Sequence, residues 1–178
     1  MSERKQRFER VVLPHLDAAY NLARWMTRND HDAQDVVQEA VLRAYRFLDG
    51  LRGDGAKPWL LAIVRNSCLS WFQVNRPADL AGFDDRVAET LVSEEPGPEA
   101  QAMRAFDRRR LNEAIAALPA QFREVLVLRE LEDMSYKEIA RVADVPIGTV
   151  MSRLARARRL LGESLRALSN AAGERVNR

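Results

Sequence analysis

Along almost the whole chain, apolar residues recur at steps of three and four. That spacing puts one helical face on a core, and no stretch shows the sustained alternation of a half-buried strand. The first stripe covers residues 8–27 through Val12, Leu16, Ala19, Leu22, Ala23 and Met26, and Pro14 predicts a bend or a delayed start within it. A second helix is predicted over about 32–48, stopping at Asp49-Gly50. A loop with Gly50, Gly53 and Gly55 follows. The third helix opens near Pro58, where proline suits a first turn, and runs to about Val74. From Arg76 to Ala100 the periodicity fails. Pro77, Pro96, Pro98, Gly82, Gly97 and seven acids leave no apolar face, as in a flexible acidic linker. Helical spacing returns over 103–118, breaks at Pro119 and resumes over 121–131. A short helix over 136–142, a longer one over 147–168 and a frayed tail complete the chain. The pattern predicts an all-α protein of two small helical domains, 1–75 and 101–170, joined by a linker at 76–100 and followed by a tail at 171–178.

Charge sharpens that division. The formal net charge of +2 conceals eleven basic against nine acidic residues in 1–75, two against seven in 76–100, and fifteen against ten in 101–178. A basic final third beside an acidic middle points to a polyanion-binding unit and a segment that avoids or imitates a polyanion. Electrostatics alone leaves nucleic acid and an acidic membrane surface both open. The single cysteine, Cys68, excludes an internal disulfide and a Cys-based zinc cluster within one chain. The N-terminal Met-Ser-Glu-Arg-Lys-Gln-Arg lacks the apolar core of a secretory signal, and the longest nearly uncharged stretch, 58–64, is too short to cross a bilayer. These features predict a soluble cytoplasmic protein without membrane insertion.

The sharpest local pattern lies at 135–150. Ser135 and Glu138 have capping-box spacing. Ile139, Ala140 and Val142 face inward over barely two turns, Ala143-Asp144-Val145 is a tight connector, and Pro146 marks a new start. This is helix-turn-helix anatomy. The second helix carries Arg153, Arg156, Arg158 and Arg159 and no acid between Ile147 and Leu161. Its apolar Val150, Leu154, Ala157 and Leu161 turn inward, so Met151, Ser152, Ala155 and Arg156 face the other way. Short side chains permit close approach to a major groove, and guanidinium groups suit guanine edges and phosphates. The plainer alternative for the arginines is a solvated basic helix. The concurrence of capping box, short turn and acid-free second helix weighs against it.

Residues 118–130 (LPAQFREVLVLRE), 135–140 (SYKEIA) and 148–158 (GTVMSRLARAR) closely resemble region 4 of extracytoplasmic-function sigma factors of the sigma-70 family. Residues 32–40 (DAQDVVQEA) resemble their region 2.2, and Arg52-Gly53-Asp54 with 58–66 (PWLLAIVRN) resembles regions 2.3 and 2.4. The resemblance implies a protein that binds core RNA polymerase and directs initiation at promoters. Region 4 would read the −35 element as duplex, with contacts from Met151, Ser152, Arg153, Ala155, Arg156 and Arg159. Arg153 fits either such a contact or a structural anchor. The resemblance also implies docking of the polymerase large subunit, clamp helices and flap, with Asp35, Gln38, Glu39 and Arg43 on the clamp. On a helical wheel these four fall on one side and Val37, Ala40, Val41, Ala44, Tyr45 and Leu48 on the other, an arrangement that amphipathicity alone also explains.

Opening a −10 element requires holding unpaired bases, for which a glycine-rich loop, cations and an aromatic face are suited. The expected parts are Arg52 and Lys57 from the loop and Trp59, Arg65 and Asn66 from the following helix. Trp59 suits stacking or core packing equally, and Trp71 reads as core. The family's usual polar residue after Lys57 is here Pro58, and 68–73 is poorer in basic residues than in many relatives. In relatives the linker threads through the polymerase. An acidic linker fits an RNA imitator there, and a disordered tether equally.

The resemblance further implies an anti-sigma factor as partner, with the chain monomeric when free or paired one-to-one with it. Among rivals, an enzyme finds no support. His15 and His31 are the only histidines, and no nucleophile–base arrangement, phosphate-cradling loop, cofactor or metal motif is present. A conventional repressor would be expected to dimerise on paired half-sites, yet no dimerisation heptad or sensing domain is evident.

Overall fold

The computed structural model describes residues 2–53, 55–83 and 108–176, and every regular element among them is helical. The predicted first helix is divided. Helix α1 (Glu3–Val12) is capped by the Ser2 hydroxyl, which accepts from the Lys5 amide. Pro14, with no amide to donate, sits in a 3-10 turn, Leu13–His15, and α2 (Leu16–Thr27) starts after it. Helix α3 (Asp30–Arg46) begins two residues before its predicted start because the Asn29 side chain accepts from the Asp32 amide at 3.0 Å. Helix α4 (Ala56–Asn75) then crosses both.

The core of this first module is built from Leu22, Ala23 and Met26 of α2, Ala33, Val36, Ala40 and Ala44 of α3, and Leu60, Leu61, Val64, Cys68 and Phe72 of α4. The three buried alanines on α3 allow close helix approach, and the larger side chains opposite fill the space. Burial pushes the Cys68 thiol far up, so this cysteine is an inert core residue. Tyr45 departs from the wheel. It is 38% exposed, edge-on to Phe8 with ring centroids 5.2 Å apart, and lies under the Arg4 guanidinium. Arg4 also donates to Asp49 and to the Tyr45 and Arg46 carbonyls, pinning α1 over the end of α3.

The second module comprises α5 (Arg108–Ala116), α6 (Ala120–Leu126), α7 (Tyr136–Ala143) and α8 (Ile147–Val176). Arg123 is buried and donates to the Ala116 and Leu118 carbonyls, closing the turn between α5 and α6; its burial pushes the guanidinium pKa down to about 10. The predicted helix over 121–131 widens at its end. Val127–Leu131 is a π turn in which the Glu132 amide reaches the Val127 carbonyl, and Asp133 follows with φ of 52°.

Two boundaries move. Helix α8 continues to Val176, so the predicted fraying after 168 and the tail from 171 are helical as far as they are described. The predicted linker is ordered at its start. Pro77–Phe83 forms a 3-10 run packed on α4 and α6, with Phe83 against Phe72 at 6.3 Å and Leu80 also partly buried. Gly82 fits closely there: a Cβ would lie 3.0 Å from the Ala120 methyl, so one of the two would have to shift. The remaining linker residues 84–100, the predicted helix start at 103–107, Asp54 and residues 177–178 lie outside the described residues. The two modules pack directly: α4 against α7 and α2 against α6, with the buried apolar residues of both forming one contiguous cluster.

Candidate nucleic-acid interface

The helix-turn-helix is built as its sequence requires. The Ser135 hydroxyl accepts from the Glu138 amide at 3.1 Å, while the Glu138 carboxylate accepts from the Ser135 amide at 3.0 Å. Helix α7 ends at Asp144, whose left-handed backbone (φ 54°) reverses the chain, and the Val145 amide donates to Ala140. Pro146 then opens α8, its carbonyl accepting from Thr149 and Val150. Val150, Leu154, Ala157 and Leu161 are buried. The opposite face presents Met151, 54% exposed, with Ser152 and Ala155 exposed and Arg156 and Arg159 half-buried. Arg158 is tied back to Glu130 at 2.9 Å.

Arg153 departs from this face. It is 5% exposed and close enough to the buried Glu124 to favour that carboxylate's charged form. Of the two readings the sequence left open for Arg153, a DNA contact or a structural anchor, this enclosure favours the anchor. The physical reason is angular: Arg153 immediately precedes the inward-facing Leu154 and rotates toward α6.

On α3, Asp35, Gln38 and Glu39 are exposed and Arg43 is half-buried, donating to Glu39 at 2.9 Å. His31 Nδ1 lies 3.4 Å from the Asp35 carboxylate. Leu42, 56% exposed, lies one helical turn beyond Gln38 and Glu39. The sequence reading passed over it, although an apolar residue on a charged face is itself a signal of a binding surface.

The expected −10 residues are divided by the packing of the modules. Arg52 and Asn66 are exposed and Trp59 is partly buried against the core. Lys57 donates to the Glu132 carbonyl at 2.9 Å, with its ammonium 3.2 Å from that residue's carboxylate. Arg65 is 9% exposed and donates to Glu124, and its guanidinium lies over Phe83. Burial pushes the Glu124 carboxyl up, against the lowering by Arg65, Arg153 and Arg123. Trp71, read as core, is partly buried beneath Arg76, which also donates to Thr27 and Asp32.

Residues 11–77 match Sigma-70 region 2, and residues 108–161 match Sigma-70, region 4. The RNA polymerase sigma-H factor of Pseudomonas aeruginosa is 33% identical over 171 residues, which cover 92% of this chain and 89% of that protein. The chain belongs to the sigma-70 family. The ECF RNA polymerase sigma-E factor of Escherichia coli K12 is 37% identical over 144 residues, covering 77% of this chain and 75% of the relative. Two solved structures are similar across both modules. The sigma factor RpoE in complex with the anti-sigma factor NepR, from Bartonella quintana, has a TM-score of 0.66 at 27% identity, covering 89% of this chain and 96% of that one. CnrH in complex with the cytosolic domain of CnrY has a TM-score of 0.60 at 25% identity, covering 94% and 90%.

As an extracytoplasmic-function sigma factor, the chain binds core RNA polymerase and directs it to promoters, supplying specificity and no catalysis. Among the described residues no group of three or more His, Cys, Asp or Glu could hold a metal, and no helix is long and apolar enough to cross a membrane. Sequence reasoning missed Glu124, Glu132 and Asn21. Asn21 donates to Glu132 at 2.7 Å, and the three bind one module to the other through pairs separated by 59, 75 and 111 positions. No local motif marks such pairs. The one available signal was that Glu124 interrupts an otherwise apolar run, Phe122 to Leu128, beside another charge.

Proposed function

We propose that this sigma factor engages a promoter through two separate surfaces while docked on polymerase by a third. Met151, Ser152, Ala155, Arg156 and Arg159 of α8 read the −35 duplex in the major groove. Arg52, Lys57, Trp59, Arg65 and Asn66 capture the −10 strand. Asp35, Gln38, Glu39 and Arg43, with Leu42 between them, dock the clamp helices of the large subunit, and the second module meets the flap. The observation that carries this reading is the α8 face. It combines short side chains with two half-buried guanidinium groups, opposite a helix side buried in the core. The exposed acidic face of α3 supports the docking assignment.

The protein acts in the cytoplasm, and its control falls to an anti-sigma factor. The likeness to RpoE and CnrH, each solved with NepR or CnrY bound, supports that partner. Run-off transcription with purified core polymerase tests the proposal. The chain added to core is expected to start transcripts at promoters that core alone ignores. If it only modifies initiation by another sigma factor, the proposal fails.

A further inference from the structure

A cleft of about 210 Å³ lies between the C-terminal ends of α2 and α4, the 3-10 run at 77–83 and the turn that joins α5 to α6. Its apolar wall includes Leu118 and the rings of Phe72 and Phe83, whose centroids are 6.3 Å apart. Its charged wall is Arg28, Arg123 and Asp79. None of these three belongs to the promoter or polymerase surfaces.

The charges of that wall do not balance. Two guanidinium groups face one carboxylate, and the carboxylate is shared, since Asp79 also lies 3.5 Å from the Arg76 guanidinium. Arg123 spends one terminal nitrogen on the Ala116 and Leu118 carbonyls. Its charged form is disfavoured first by burial and next by Arg28, so the two cations are close enough to repel each other. Arg28 has no side-chain hydrogen bond or ion pair among the described residues. It also takes the left-handed backbone (φ 58°) at the end of α2, a position that helices usually give to glycine. Like charges sharing an apolar-walled concavity are relieved by an anion seated beside them.

Size and lining narrow the class of anion. The cleft is smaller than the roughly 300–1,000 Å³ that drug-sized ligands occupy, which disfavours a nucleotide. A bare inorganic ion would answer the charge and leave the aromatic wall wet. A carboxylate matches the planar fork of a guanidinium, and an aromatic ring covers the apolar wall.

We propose that this cleft is a binding site for a small aromatic carboxylate. Arg28 holds the carboxylate, Arg123 adds its charge, and the ring lies against Phe72 and Phe83.

The test is an NMR titration of the full chain with benzoate. Saturable shifts of the Arg28, Ala78 and Gly82 amides are expected, with a Kd of about 1 mM, the order usual for a ligand of that size. Benzyl alcohol lacks the charge, and acetate and inorganic phosphate lack the ring, so each is expected to bind about tenfold more weakly. Arg28→Gln is expected to weaken benzoate binding about tenfold, the loss of one charge-assisted pair, with the melting temperature unchanged because the side chain is exposed. Ala78→Trp, at the exposed rim, is expected to block the cleft with Arg28 intact. Arg10→Gln, on α1 and outside the cleft, is expected to bind as the native chain does. Absence of saturable shifts at the three amides, or benzoate affinity that survives Arg28→Gln or Ala78→Trp, would overturn the site. Phosphate bound as tightly as benzoate would overturn the aromatic ligand.

Discussion

Arg153 and Arg156 are three positions apart on one helix and differ in burial, and a paired substitution turns that difference into separate expected outcomes. Arg156 lies on the open face of α8. A guanidinium reading a guanine edge contributes about 1–3 kcal/mol of discrimination, so Arg156→Ala is expected to weaken −35 duplex binding by roughly 5- to 150-fold. Its urea midpoint is expected to stay put, because nothing in the core is lost. Arg153 is 5% exposed beside the fully buried Glu124. Removing one member of a buried charge set costs about 3–5 kcal/mol when the remaining charge is left alone. Glu124 keeps Arg65 and the nearby Arg123, so the lower end, about 3 kcal/mol, is expected for Arg153→Ala. With a urea m-value of about 2 kcal/mol/M, the midpoint falls by roughly 1.5 M. The assays are urea unfolding followed by circular dichroism, and fluorescence anisotropy with a −35 duplex under conditions where each variant is folded. A normal midpoint for Arg153→Ala together with lost DNA affinity would refute the internal role, and the converse result for Arg156→Ala would refute the recognition face.

Further outcomes follow from the same geometry. Asp35→Ala combined with Glu39→Ala is expected to weaken pull-down by core polymerase without changing helicity; undiminished association would mean that the docking face lies elsewhere. Ser135→Ala removes one half of the capping box and is expected to cost about 1 kcal/mol in chemical denaturation, a loss that Ser135→Asp should largely avoid. Phe122→Ala empties a fully buried site and is expected to cost about 3–5 kcal/mol, read as a lowered urea midpoint. His15 is held below its usual pKa near 6.5 by partial burial and then by Lys57, so the neutral imidazole is favoured in the fold. Its contribution is complete above pH 6.5 and is lost as the pH falls through the lower folded value. The melting temperature should therefore drop between pH 7.5 and 5, and His15→Gln should flatten part of that slope; an unchanged slope would exclude His15 as its source.

The all-helical architecture and the helix-turn-helix were legible because both are written in local spacing. Ser135 and Glu138 are three apart, and Val150, Leu154, Ala157 and Leu161 repeat within one helix, so each pattern specifies its own geometry. Pro14 was likewise readable as a disturbance, since a missing amide acts where it stands. What escaped was set by partners distant in the chain. Residues 77–83 read as linker from their proline, glycine and acid content, yet Leu80 and Phe83 anchor them across α4 and α6. Two apolar residues three apart are too few to register as a periodic face. The extension of α8 beyond 168 was missed because the polar Ser169-Asn170 and Gly173 weaken the pattern without ending the helix.

The deeper illegibility concerns cations. A lysine or arginine in a glycine-rich loop advertises charge, but its partner is decided in three dimensions. Lys57 and Arg65 read as strand-binding because their stretch resembles regions 2.3 and 2.4 and a cation there can balance phosphate, while the acids within ten residues on either side are only Asp49 and Asp54. The carboxylates that meet them arrive from Glu124 and Glu132, on a module with a net positive charge. A polyanion and a folded carboxylate satisfy the same guanidinium, and burial decides how firmly each is held. Arg52 and Asn66, by contrast, stay exposed.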